Sequence, residues 1–133
     1  MKRVAILNRT RQTVLGERVS VAATTVRRMV GLLGKPRLDP GTGLLIMPSQ
    51  AIHTVAMHFA IDVLFLDRDW RVVSLRRAMP PFRMTGLHWN ARCVLELPAG
   101  VIAETSTAVG DQLEIRKMAG TAAPAVRPPA CGN

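Results

Sequence analysis

The sequence predicts a mainly β fold, either a small β-sandwich or a partly closed barrel of about seven to nine short strands with one or two short helices. Three observations lead to this prediction. Short apolar segments recur at close spacing between turn residues, residues 52–75 read as two or three successive strands, and helical spacing is confined to short segments. We expect one β-rich domain at residues 1–117 and a disordered tail, rich in Ala, Pro and Gly, at residues 118–133.

The N-terminal part of the chain predicts two strands and one helix. Residues 4–7 and 13–21 are rich in apolar and β-branched residues, and Gly16 stands where a turn or bulge can interrupt the second strand. An amphipathic helix follows, capped by Thr24 or Thr25 and ended by Gly34. Its apolar positions are Val26, Met29, Val30 and Leu33. We expect this helix to cover one side of the sheet.

The strand at residues 61–66 is the clearest element in the sequence. Its side chains are apolar on both faces except for Asp62, so we expect it to lie centrally in a sheet. The aspartates of residues 67–70 favour a turn, and alternation resumes from Val73, as in the second strand of a hairpin. Just upstream, residues 52–57 predict another strand with His53 and Thr54 near its start.

Three further strands are predicted at residues 44–47, 92–97 and 112–116, and residues 101–107 predict one or two turns of helix. The glycines of residues 40–43 precede an apolar strand, whereas a phosphate-binding loop opens a helix, so we exclude a Walker motif here. Residues 80–90 form the longest irregular segment of the domain. Segments of this kind often carry binding residues.

The formal net charge of +9 is concentrated in the N-terminal third of the chain. Residues 1–37 contain nine of the 18 Lys and Arg residues but only one of the nine Asp and Glu residues. A basic surface of this kind attracts phosphate backbones and anionic lipids. The chain has few aromatic residues for base stacking and no recognisable nucleic-acid-binding module, so weak, nonspecific nucleic-acid binding is the most that we expect.

The apolar segments and the cysteines bear on location and on cofactors. The apolar run behind the basic N-terminus is too short for a signal peptide, and no run approaches the length of a membrane span. The two cysteines have neither a metal-ligand spacing nor the pattern of a disulfide framework, and Cys93 is expected to be an inert core thiol. We therefore predict a cytoplasmic protein that needs no metal or cofactor. The sequence leaves the oligomeric state open.

Six short motifs follow one another along residues 13–116. They are VRRMVGLLG at 26–34, GTGLLI at 41–46, IHTVAMHFAIDVLFLD at 52–67, RVV at 71–73, VLELPAG at 94–100 and VGD at 109–111. Their succession resembles the domain of unknown function 192 family. The resemblance implies a small β-sandwich and no established biochemical activity, and the implied fold agrees with the strand count.

The third motif resembles one branch of that family. The pair His53 and Thr54 before Met57 resembles the branch with His-Thr at this place, whereas the exported branch carries an aromatic-Met-Lys-Asn-Thr run, so the resemblance supports a cytoplasmic location. The chain departs from the common pattern at three positions. His58 replaces an Arg, Ala60 replaces a Pro and Trp70 replaces a turn Gly.

Five polar residues on otherwise apolar elements are the candidate ligand-binding residues: His53, Thr54, Asp62, Glu96 and Arg28. A buried carboxylate is costly unless it is paired or hydrogen-bonded, so Asp62 and Glu96 each need a partner. If His53 is that partner, the group is the start of an acid–base or metal site. The alternative is structural. Asp62 would then bond backbone amides or Thr54, and Glu96 would pair with an Arg on a neighbouring strand.

Two classes of function fit these residues. The first is a noncatalytic binding or interaction module for a small molecule, a glycan or a protein. The second is a small hydrolase-like or metal-assisted enzyme that uses His53, Asp62 and Glu96. A catalytic site normally has more converging groups than these, which favours the binding module. The two classes differ in whether the three side chains converge in an open pocket or are held in separate hydrogen bonds.

Overall fold

The computed structural model describes residues 2–22, 38–47, 59–80 and 88–117. These residues form one seven-stranded mixed sheet, curled into a half-barrel, with one short helix. The strands are β1 (Lys2–Asn8), β2 (Thr13–Ala22), β3 (Thr42–Ile46), β4 (Ile61–Leu66), β5 (Val72–Met79), β6 (Cys93–Pro98) and β7 (Leu113–Lys117), and the helix is α1 (Val101–Thr105). The mainly β prediction is confirmed, in its partly closed barrel form.

The strands lie in the order β5-β4-β6-β3-β2-β1-β7. The pair of β2 and β3 is parallel, and the other pairs in this order are antiparallel. The strand predicted to be central, β4, pairs with β5 on one side and β6 on the other, and all six of its side chains are buried. β4 is therefore apolar on both faces because it lies centrally in the sheet, as the sequence predicts.

The two edge strands meet where each begins, and this contact curls the sheet. Arg71 and Gln112 form an isolated antiparallel bridge. Beside it, the Leu113 N–H donates to the Trp70 carbonyl at 2.9 Å and the Val72 N–H donates to the Asp111 carbonyl at 2.9 Å. Because a few backbone bonds join the ends of a seven-stranded sheet, the barrel is closed at one end of this seam.

Each face of the sheet carries its own buried apolar cluster. The cluster on the concave face draws side chains from all seven strands and from α1, including Ile6, Leu64, Leu95 and Ile102. The cluster on the convex face lies over the central strands and contains Leu38, Leu44, Ile46, Ile61, Val63, Phe65, Met79, Ala91 and Val94. The convex face is therefore buried over β3, β6 and β4.

A bulge in β2 occurs at the predicted place. The β1–β2 register shifts between Val4 and Ile6, which pairs with Gly16. The bulge contains Glu17 and Arg18. Their backbone N–H groups both donate to the Gly41 carbonyl, at 2.9 and 2.8 Å. The bulge thus fixes where β3 begins.

Several sequence predictions fall outside the described residues. They are the helix from residue 24 to 34, the strand at 52–57, most of the irregular segment at 80–90 and the tail at 118–133. The candidate residues His53, Thr54 and Arg28 fall there as well. Within the described ranges, no helix has the length and apolar character that a membrane crossing requires.

Candidate functional site

Asp62 is a buried anchor for backbone amides from two separate segments. Its side chain is on the concave face and only 1% of the residue is exposed. Oδ1 accepts a hydrogen bond from the Ala78 N–H at 2.7 Å. Oδ2 accepts from the Gly100 N–H at 3.1 Å and from the Ile102 N–H at 2.8 Å. The carboxylate therefore stabilises the local fold of both segments.

The local geometry explains why both segments need an acceptor. Asp62 stands opposite two residues of β5, Arg77 and Ala78, because the register runs from Ile61 opposite Met79 to Val63 opposite Arg76. Such a bulge leaves an amide without a ladder partner, and Ala78 has a φ of 45°. The first turn of α1 has no side-chain cap of its own, so Asp62 supplies a cap from a distant strand.

Glu96 is fully buried on the other face of the same sheet. It lies on β6 between Leu44 of β3 and Val63 of β4, among side chains of the convex cluster. Its strand lies so close to β3 that a side chain at Gly43 would bring a Cβ to 2.6 Å from the Glu96 carbonyl oxygen. Glycine at this position is therefore a packing requirement.

The sheet separates the two candidate carboxylates. Asp62 pairs with Leu97, whose side chain is in the concave cluster, whereas Glu96 is one position away and faces the convex side. The structure does not bring Asp62 and Glu96 together. A single site built from both of them with His53 therefore gains no support from the described residues.

His88 takes part in the convex face of the sheet. Its ring stacks on Phe65, with centroids 3.7 Å apart and an interplanar angle of 20°. Phe65 is fully buried, and His88 is partly buried at the edge of the convex cluster. The neighbouring Trp89 is exposed. Stacking on Phe65 fixes the orientation of the imidazole.

A second buried polar group, centred on Asp111, was missed by the sequence reasoning. Asp111 Oδ2 accepts hydrogen bonds from Asn8 Nδ2 at 2.9 Å, from Arg11 Nε at 3.1 Å and from the Ala108 N–H at 3.0 Å. Asn8 Nδ2 also donates to Thr107 Oγ1 at 3.1 Å. The group joins the end of β1 to the segment that leads into β7.

Two threonines extend this group to the helix. Thr105 Oγ1 and Thr107 Oγ1 lie 2.7 Å apart, and Thr105 Oγ1 donates to the Val101 carbonyl at 2.7 Å. The only sequence signals were Asn8 at the end of an apolar strand and the Val-Gly-Asp motif that ends at Asp111. Neither signal identifies the other as its partner.

The pKa of Asp111 reflects this environment. Burial raises the pKa of its carboxyl, because the charged form loses hydration. The hydrogen bonds from Asn8, from the Ala108 N–H and from Arg11 lower it, as does the positive charge of Arg11. These effects outweigh burial, so the pKa of Asp111 lies below its ordinary value of 3.8. Asp111 is therefore a stable anion inside the fold.

The cysteines and metal ligands also bear on chemistry. Cys93 is fully buried and disulfide-bonded, which corrects the prediction of an inert core thiol. The spacing of two cysteines in the sequence carried no signal of this bond. Cys131 falls outside the described residues. Among the residues that the structure describes, no group of three or more His, Cys, Asp or Glu side chains is placed to hold a metal ion.

A shallow groove lies where β1, β2 and β7 meet the turn at residues 9–12. Its volume is about 470 Å³, and it is lined by Leu7, Asn8, Arg9, Gln12, Thr13, Val14, Glu114 and Arg116. Leu7 stands opposite Val14 on one side and Glu114 on the other, so these three side chains form a row across the convex face. Val14 is 50% exposed. The groove thus combines an apolar floor with a charged side.

Comparison with known proteins identifies relatives of this fold. The model of the DUF192 family, described as an uncharacterised family, matches residues 5–115. A UPF0127 protein of Thermococcus sibiricus is 33% identical over 114 residues, covering 82% of this chain and 73% of the relative. A UPF0127 protein of Pyrococcus furiosus is 31% identical over 119 residues, covering 85% and 99%.

Two crystal structures share the fold. One is a protein of Sinorhizobium meliloti described as a "putative transcription regulator", with a TM-score of 0.71 and 21% identity over 86% of this chain and 92% of that one. The other is a protein of unknown function from Novosphingobium aromaticivorans, with a TM-score of 0.70 and 21% identity over 84% and 83%. At this identity the likeness concerns the fold alone.

Proposed function

The chain belongs to the DUF192 (UPF0127) family, and we propose that it is a noncatalytic binding module whose ligand surface is the groove over β1, β2 and β7. The ligand would be a small molecule or a protein segment with an apolar part and an anionic group. One observation supports this best: exposed Val14 and partly buried Leu7 lie beside the guanidinium groups of Arg9 and Arg116.

The apolar floor of the groove supplies the first part of this recognition. Small-molecule sites are mostly apolar, with a few polar groups that fix orientation. Leu7 and Val14 face each other across the β1–β2 pair, and covering the half-exposed Val14 removes apolar area from water. Gln12 and Thr13 at the turn offer polar groups beside this floor.

The charged side of the groove supplies the second part. Glu114 is shared by two cations, since Arg9 Nε lies 3.8 Å from its carboxylate and Arg116 Nε donates to it. Two arginines and one glutamate leave a surplus of one positive charge. Ion pairs between exposed side chains are weak, so an incoming carboxylate or phosphate can displace Glu114 from either arginine at little cost.

The carboxylates favour binding over catalysis. Asp62 and Asp111 both accept hydrogen bonds from backbone amides of the protein itself. Asp62 and Glu96 lie on opposite faces. The alternative of a hydrolase-like or metal-assisted enzyme would need His53 together with one of these groups, and it has less support than the binding module.

Other predictions from the sequence stay proposals. Ligand contacts by His53, Thr54, Glu96 and Arg28, membership of a His-Thr branch, weak binding of nucleic acid and a cytoplasmic location are still predictions. Disulfide bonds are uncommon in cytosolic proteins, and the bonded state of Cys93 speaks against the last of these.

A thermal-shift screen of small carboxylates and phosphates with apolar groups tests the binding module. A ligand that binds only the folded state raises the melting temperature in proportion to the logarithm of its concentration above Kd. Hits that raise the melting temperature of the wild-type protein should lose their effect in Val14→Asp, which places an anion on the floor. Val109→Asp is the matched control, since Val109 is 61% exposed and is not among the groove residues. Hits that act equally on both variants would refute the proposed groove.

A further inference from the structure

The outer edge of β7 presents hydrogen-bonding groups away from the sheet. The Gln112 carbonyl accepts from the Arg9 N–H at 2.8 Å, on the β1 side, whereas the Leu113 N–H donates to the Trp70 carbonyl at 2.9 Å, on the opposite side. Backbone groups of an antiparallel strand alternate between its two sides. Glu114 and Arg116 therefore bond to β1, and Leu113, Ile115 and Lys117 direct their N–H and C=O groups outward.

Only the first of these three outward residues is capped within the described part of the chain. The Leu113 N–H is bonded to Trp70, and its carbonyl accepts from Gln112 Nε2 at 3.1 Å. The outward groups of Ile115 and the Lys117 N–H have no hydrogen-bond partner among the described interactions. An edge of this kind is a template for pairing with another strand.

We propose that β7 pairs antiparallel with β7 of a second copy of this chain, about a two-fold axis at Ile115. The charges of β7 are self-complementary in this register, because Glu114 of each copy stands opposite Arg116 of the other. Opposite charges on directly opposed residues stabilise a strand pair. Ile115 would exchange both of its outward hydrogen bonds with Ile115 of the second copy. The ladder would be limited to residues 114–116, because Trp70 already stands opposite Leu113, where Lys117 of the second copy would otherwise lie.

The opposite edge strand of the half-barrel, β5, is not self-complementary in charge. On β5, Arg76 and Arg77 are consecutive and exposed, and the next residue, Ala78, is part of the bulge with a φ of 45°. Pairing of β5 with itself around these residues would bring cation against cation, and bulges and edge cations are devices that prevent such pairing. In β7 the cation at Arg116 instead finds an anion. The two edges differ in this self-complementarity.

The pairing also fits the surface beside β7. Arg116 stands opposite Ala5 and Glu114 opposite Leu7 of β1, so both charged side chains lie on the exposed part of the convex face, where a second copy can reach them. A contact limited to residues 114–116 of each copy is small. Small interfaces belong to weak complexes, so we expect dissociation in the micromolar range.

Sedimentation velocity on the full chain, from about 1 to 500 μM as suits a weak complex, tests the proposal. The wild-type protein should change from monomer to dimer over this range. Arg116→Glu and Glu114→Arg should each weaken the dimer about tenfold or more, equivalent to about 1.4 kcal/mol, because like charges then oppose each other. The double charge swap should restore wild-type affinity, and an equimolar mixture of the two single variants should form heterodimers.

The design separates local pairing from general charge repulsion. Arg116→Glu lowers the net charge of this basic chain and Glu114→Arg raises it, so weakening by both variants cannot come from net charge. Arg76→Glu on β5 is the control and should leave the dimer unchanged, and circular dichroism shows that each variant is folded. A wild-type protein that stays monomeric at 500 μM, or a dimer that responds to Arg76→Glu and not to Arg116→Glu, would overturn the proposal.

Discussion

Asn8 Nδ2 donates a hydrogen bond of 2.9 Å to Asp111 Oδ2 across 103 positions of the sequence, and both side chains are buried. Arg11 adds a second polar link to the same oxygen. The first strand and the segment before the last strand are therefore held together by a charged hydrogen bond as well as by the β1–β7 ladder. Its strength depends on the ionised state of Asp111.

Acid should weaken the fold through Asp111. Its pKa is lowered in the folded protein, so the group contributes stability above its unfolded pKa, and this contribution is lost as the pH falls through the folded pKa. Asn8→Ala removes the first of the lowering hydrogen bonds, so the folded pKa moves toward the unfolded one and the acid-induced loss of stability should be smaller than in the wild-type protein. Urea denaturation between pH 7 and pH 3 measures both curves. Superimposable curves after subtraction of a constant offset would contradict this assignment.

Loss of the Asp62 carboxylate should destabilise the fold. Asp62→Ala leaves three backbone N–H groups without their acceptor in a buried place, and the expected loss is roughly 1 to 3 kcal/mol or more. Asp62→Asn should also destabilise, because an amide exchanges one acceptor for a donor that faces N–H groups. Asp39→Asn on the exposed surface is the control and should leave the free energy of unfolding unchanged. An Asp62→Asn protein more stable than wild type would favour a working site here.

Burial of the Trp70 side chain stabilises the fold, whereas the backbone conformation of this residue is strained. Its φ is 65°, in the left-handed region that favours glycine, yet it is only 7% exposed within the concave cluster. Trp70→Gly would relieve about 1 to 2 kcal/mol of backbone strain but lose about 3 to 5 kcal/mol of core packing. We expect a net loss of roughly 2 kcal/mol in the free energy of unfolding, measured by urea denaturation. A variant as stable as wild type would show that the indole contributes little.

Nucleic-acid binding should be weak and sensitive to salt. Asp62, Glu96 and Asp111 are buried, whereas every Lys and Arg in the described ranges is exposed, so the surface is more basic than the formal charge suggests. Counterion release then predicts binding at low salt that disappears near 0.15 M. Fluorescence anisotropy with DNA and RNA of unrelated sequences measures this. Sequence-selective, nanomolar binding at 0.15 M salt would contradict this expectation.

Much of the fold could be predicted because the sequence signals of its strands and helix are local. The strand at residues 61–66 was predicted with the bounds that the structure gives β4, since the whole segment is apolar apart from Asp62. Gly16 marked the bulge of β2, and residues 101–107 contain α1. Each of these signals lies within the element that it predicts.

The candidate site was harder to predict because its relationships depend on register. That Asp62 and Glu96 face opposite sides follows only once Asp62 is paired with Leu97. The bulge amide of Ala78 and the uncapped turn at Gly100 were equally invisible, since a bulge on one strand depends on the length of its partner. The bond between Asn8 and Asp111 joins positions that have no periodic relation. These relationships therefore follow only from the three-dimensional pairing of the strands.

The position of β1 between β2 and β7 has a consequence for synthesis of the chain. A ribosome delivers β1 well before β7, and until residues 113–117 emerge one side of β1 lacks its neighbour. During that interval Ile6 and the backbone groups of Leu7 that face Glu114 stay open to water or to foreign strands, and nascent chains expose such edges to aggregation. β1 therefore gains its second neighbour only after translation has passed residue 117.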